Sequence, residues 1–178
     1  MGDFLYDLTE WLRSTALVDF ALNVSEWPFS QWVVNQFWAI PILQMVHIFA
    51  IAGSFAAVLM LNLRVFHLAG HATLAETARR YTKVLWWSLG FVILSGVLML
   101  FGDTVRNLIN SVFWIKMIMV VVAILVAIVF ANNLGRQYRT TMGDTEVVSG
   151  GVKATAILLV ILWCAIMFAG RWIAYAPA

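Results

Sequence analysis

Residues 112–131 read VFWIKMIMVVVAILVAIVFA, twenty residues with one charge, Lys116. About 20 apolar residues are what a helix needs to cross a hydrocarbon core of roughly 30 Å. Lipid offers backbone amides no partner, so such a span must be a helix. Three more runs share this character: residues 37–63, which contain Pro41, residues 84–101 and residues 154–175. The shortest of these, 84–101, still suffices. Four strands could not close a barrel. The sequence therefore predicts an all-α fold, an integral membrane four-helix bundle.

Composition points the same way. Hydrophobic residues make up 63% of the 178 and charged residues 11%. A soluble domain carries about 25% charged residues, so this chain could not coat a globule with polar surface. Nine Trp and twelve Phe suit aromatic belts at membrane interfaces. A net charge of +2 is too small to argue for nucleic acid. The single Cys, Cys164, lies inside an apolar run, which excludes an intrachain disulfide and argues against a thiolate metal cluster. Residues 1–10 carry Asp3, Asp7 and Glu10 and no base, unlike a cleaved leader, so the first span is expected to direct insertion itself.

Outward from the spans, residues 1–36 form a different segment from the membrane domain 37–178. Residues 3–23, DFLYDLTEWLRSTALVDFALN, place Leu5, Leu8, Leu12, Ala16 and Phe20 at helical spacing with acids between them. This predicts one short amphipathic interfacial helix that precedes the bundle and lies on the bilayer surface, as an anchor or as a lid. Trp27, Trp32 and Trp38 follow at interface depth. Arg64, Arg79, Arg80 and Lys83 flank the first inter-helix connection, and Arg136, Arg139 and Lys153 flank the third, so seven of eleven bases gather on one side. The other side holds Arg13 and Arg106, together with most of the acids. The excess of bases predicts a cytoplasmic face for that side, with both termini outside, periplasmic in a Gram-negative inner membrane.

Ionisable groups within spans are costly, and each one marks a candidate site. His47 lies six residues past Pro41, about 9 Å along the helix. Gln36, Gln44, Ala50, Ser54 and Ala57 share its face, a small or polar stripe suited to the bundle interior. A neutral imidazole there can ligate b-type haem; it can equally be hydrogen-bonded between helices. Lys116 and Arg171 are predicted at similar depth, with Arg171 facing inward beside Cys164, Met167 and Phe168. Asp103 is the nearest acid. Cations without anions suggest an anionic ligand, and haem propionates suit them; snorkelling to the interface is the simpler alternative. In the second span Ser88, Ser95 and Gly102 recur every seven residues, with Met99 on the same face. Such a stripe reads as close helix packing, or as clearance for a cofactor with Met99 as second axial ligand. His67 and His71, at i and i+4, could hold a metal, but lie about 30 Å along the helix from His47. No phosphate loop, HExxH motif, catalytic triad or intramembrane carboxylate is present.

The run QMVHIFAIAGSFAAVLMLNLRVF, the stretch SVFWIKMIMVVVAILVAIVFANN and the tail AGRWIAY together resemble a family of small bacterial four-helix inner-membrane proteins of unknown function. The resemblance covers roughly residues 8–176. More remotely the chain is similar to the membrane domain of copper-resistance D proteins, which also pair a first-span His with a third-span Lys. It implies importance for His47, Arg64, Lys116 and Arg171. Family members often have Asp-Leu-Arg where this chain has Asn62-Leu63-Arg64, so an Asp–Arg pair there is lost.

The leading expectation is a b-type haem membrane protein, an electron carrier or haem-bearing subunit rather than an enzyme in its own right. His47 would ligate the metal, with Lys116, Arg171, Gln44, Ser54 and Met99 around the cofactor. A copper-handling protein using His47 and methionines is the alternative, and a cofactor-free structural or accessory subunit is a third. Four helices bury little around a macrocycle, so a homo-oligomer is expected, with an unidentified redox partner.

Overall fold

The structure, a computed structural model, describes residues 2–68, 73–140 and 148–175. Every regular element among them is helical: α1 (Gly2–Arg13), α2 (Leu17–Ser25), α3 (Pro28–Asn35), α4 (Ala39–Val65), α5 (Leu74–Gly102), α6 (Thr104–Leu108), α7 (Ser111–Thr140) and α8 (Gly150–Trp172), closed by a 3₁₀ turn Ile173–Tyr175. Four are long and apolar enough to cross a membrane: α4, α5, residues Ser111–Arg136 of α7, and α8. The shortest, at 23 residues, is about 34 Å long. The chain is thus an all-α, multi-pass membrane protein.

The expected single N-terminal helix is instead α1 and α2. The break has a local cause. Ser14 Oγ donates to the Trp11 carbonyl at 2.8 Å and Thr15 Oγ1 to the Leu12 carbonyl at 2.6 Å. These side chains occupy carbonyls that would otherwise continue the helix. The register restarts beyond the break: Ala21 and Val24 are buried, whereas Phe20, assigned to the apolar stripe, is 58% exposed. Pro28 then opens α3 at its first turn, where the missing N–H costs nothing.

The helices divide into two compact units. One comprises residues 1–49, 91–118 and 166–178. In it, α2 lies against α6. The Thr9 and Ser111 hydroxyls approach to 3.1 Å, and both reach the Leu5 carbonyl, joining α1 to the start of α7. Fully buried Asn110 caps α7: its Oδ1 accepts from the Val112 and Phe113 amides at 2.9 and 3.3 Å, while Nδ2 donates to the Ile173 carbonyl. Trp27 and Phe29 pack on Phe101, and Trp32 packs on Trp38. Gly102 lets the Ile40 side chain sit directly over the α5 backbone, where a Cβ would force that side chain to move.

The other unit comprises residues 50–90 and 119–165. Its core draws on all four long helices: Val58 and Leu61 from α4, Leu85 and Leu89 from α5, Phe130 and Leu134 from α7, Val152 and Leu159 from α8. Gly53 meets Ser88, where an added Cβ would stand 2.8 Å from the serine oxygen. The helix termini carry their own stop and start chemistry. At the end of α4 the His67 amide bonds the Arg64 carbonyl and the Leu68 amide the Leu63 carbonyl, with His67 at φ 56°. This is a Schellman stop with histidine in the left-handed position that glycine normally fills. At the start of α5 Thr73 Oγ1 accepts from the Glu76 amide and Glu76 Oε2 from the Thr73 amide, both at 3.2 Å, a capping box.

Candidate ligand site at His47

The site is assembled within the first unit from parts of α4, α5, α7 and α8. On α4, the burial of Ala39 and Ala50 turns one face inward, and His47 sits half-buried beside it. Across from it on α5, Ser95 is only 2% exposed. His47 Nδ1 and Ser95 Oγ are 2.8 Å apart. Ser95 Oγ also donates to the Phe91 carbonyl one turn back in its own helix. A hydroxyl has one proton, and here the helix carbonyl takes it. Ser95 can then accept from the ring, the arrangement in which neutral His47 carries its proton on Nδ1. The Val92 carbonyl of α5 is a further acceptor for this ring.

Glycines shape the surroundings. A Cβ on Gly96 would lie 3.4 Å from His47 Cε1, in ordinary van der Waals contact, so the ring stands over Gly96 with room for a methyl but not for a large side chain. Lys116 on α7 is near enough for its charge to act on His47. A Cβ on Gly170 of α8 would lie 3.7 Å from both Cε and Nζ of Lys116. Among the described residues no acid pairs with Lys116; Asp103, the acid expected nearby, stands 3.9 Å from Arg106 instead. A half-buried imidazole and an ammonium without a carboxylate therefore share one neighbourhood, a donor set that fits an anionic ligand or a metal macrocycle bearing carboxylates.

Other residues singled out in the sequence lie elsewhere. Arg171 does not face inward. Its guanidinium donates to Tyr175 Oη at 3.0 Å and stacks 5.3 Å from that ring, both residues exposed. Cys164 and Phe168, expected beside it in the interior, are exposed as well. Ile166 and Ala169 set the inward face of α8, and Arg171 points about 160° away from Ala169. Gln44 is exposed, one turn before His47. Ser54 is fully buried in the other unit, its hydroxyl donated to the Ala50 carbonyl at 2.8 Å. Met99 is half-buried one turn beyond Ser95. The stripe Ser88, Ser95 and Gly102 packs on α4 at Gly53, His47 and Ile40 in turn. Of the histidine pair, His67 serves in the helix stop and His71 lies outside the described residues.

Sequence reasoning placed Ser95 in a packing stripe but missed its bond to His47, and it passed over Gly96 and Gly170. One signal was available: polar side chains within spans seek each other across helices, and Ser95 is one of few in the second span. Among the described residues no three His, Cys, Asp or Glu side chains gather as a metal cluster. The chain matches no protein-family model, no curated protein and no solved structure.

Proposed function

We propose that this membrane protein binds b-type haem through His47 and acts in electron transfer or as a haem-bearing subunit. The observation that carries the reading is the His47 Nδ1–Ser95 bond. Metal-bound histidines usually donate their other ring N–H to a fixed acceptor, which holds tautomer and ring plane. Ser95 supplies that acceptor and leaves Nε2 as the ligand atom. The composition of the site favours haem over a clustered metal, because a macrocycle brings its own four nitrogens and asks the protein for only one or two axial groups.

Haem, when bound, supplies a one-electron couple. The chain's own residues would do the rest. His47 would offer Nε2, Ser95 would restrain the ring, and Gly96 leaves space beside it. Lys116 would hold a propionate, since a cation in lipid is costly without an anionic partner. Half-buried His47, next to exposed Gln44 and Ile48, suits a cofactor shared near the interface of a homo-oligomer. The base-rich ends of the spans favour an inner-membrane protein with both termini periplasmic.

The test is an absorption spectrum and metal analysis of the purified wild type and of His47→Ala. The expected result is a Soret band in the wild type and its loss in the variant, with insertion retained because the four spans keep their hydrophobicity. Stoichiometric copper without a Soret band would establish the copper-handling alternative. Neither cofactor would leave a structural or accessory subunit.

A further inference from the structure

The second unit has a groove of about 420 Å³ between the first turns of α5 and the last apolar turns of α7. Arg79, Thr82, Lys83 and Trp86 line it from α5, and Ala131 and Gly135 from α7. Arg79, Lys83 and Trp86 are spaced i, i+4, i+7 and share one helix face. Both cations are exposed, and no acid among the described residues pairs with either. Glu76, the nearest acid in sequence, is engaged in the capping box with Thr73.

Depth decides what fits. Lys83 is the last charge of α5, and from Val84 the helix is apolar to its end. On α7 the apolar run ends near Ala131, four residues before Gly135. The groove therefore straddles the change from polar to apolar surface, with cations at one end and Trp86 at the other. That is the arrangement of a phospholipid: anionic phosphate, glycerol, acyl chain. Tryptophan prefers this boundary, and basic recesses between membrane helices hold anionic headgroups. Gly135 keeps the wall open, since a Cβ there would meet nothing within 4 Å.

We propose that this groove binds an anionic phospholipid, with its phosphate between Arg79 and Lys83 and an acyl chain passing Trp86. The experiment is native mass spectrometry of delipidated protein titrated with dioleoyl phosphatidylglycerol or dioleoyl phosphatidylcholine, which share acyl chains and differ in net charge. The wild type should retain phosphatidylglycerol at least about tenfold better. Arg79→Ala/Lys83→Ala should lose about fivefold affinity per cation, ~30-fold for the pair, without affecting phosphatidylcholine. Gly135→Leu should fold, because the space beyond its Cβ is open, and should lose phosphatidylglycerol with both cations in place. Arg13→Ala/Arg106→Ala should retain it. Equal retention of the two lipids by the wild type, or undiminished phosphatidylglycerol in either groove variant, would overturn the proposal. So would full release by inorganic phosphate at constant ionic strength, which would make the ligand a free anion.

Discussion

Replacing Ser95 with alanine removes one oxygen from the α4–α5 contact and tests the geometry on which the His47 site depends. The lost bond is 2.8 Å long, and its serine is 2% exposed. A neutral hydrogen bond contributes about 0.5–1.5 kcal/mol net, but a buried donor left without an acceptor costs about 1–3 kcal/mol. His47 is only half-buried and the Val92 carbonyl remains as an acceptor for the ring, so Ser95→Ala should destabilise the fold by about 1 kcal/mol. Cofactor affinity responds differently, because the bond is present with and without ligand. Only its role in orienting the ring is lost on binding, and removing such outer partners lowers metal affinity by about 10–100-fold. The assays are detergent melting, haem titration of apo protein, and long-range ¹H–¹⁵N correlation of labelled histidines. In the wild type the neutral His47 ring should carry its proton on Nδ1. In Ser95→Ala that preference should collapse, and haem should bind at least about tenfold more weakly with the Soret position kept. An Nε2–H ring in the wild type would refute the reasoning directly. Unchanged stability together with unchanged haem affinity in Ser95→Ala would refute it as well.

Lys116→Ala should weaken haem retention by roughly one to two orders of magnitude, as loss of a charge-assisted bond implies. Arg171→Ala should change it by less than about fivefold, since an exposed cation bonded to Tyr175 contributes little; spectral titration of both variants checks this contrast. His67→Gly should preserve the helix stop in detergent melting, because glycine adopts φ 56° without a Cβ penalty, and should leave any visible spectrum unchanged. In a Cys164→Ser background, impermeant maleimide added from outside should label a cysteine at Asp3 and spare one at Thr73; the reverse pattern would invert the topology.

Hydrophobicity is a local property, and the spans were legible for that reason. Whether α7 can cross a bilayer depends on residues 111–136 alone, and no distant contact changes their hydropathy. His47 and Lys116 were legible for a related reason, since an ionisable group is conspicuous wherever its neighbours are apolar. What could not be read was rotation about the helix axes. These spans are apolar nearly all round, so periodicity does not say which face turns inward. The residues around Arg171 suggest an inward face; the inward turn of Ile166 and Ala169 puts it outside. The pairing of His47 with Ser95 depends on the register of α4 against α5, set in the same unit by the fit of Ile40 over Gly102. That fit joins residues far apart in the chain. The N-terminal stripe failed for the opposite reason: two hydroxyls at Ser14 and Thr15 overrode a helical pattern that runs on through them. Sequence thus determined what must enter the membrane and which polar groups enter with it. Tertiary packing alone decided which of those groups meet, because lipid rewards apolar surface without regard to direction, whereas close contact between helices depends on shape.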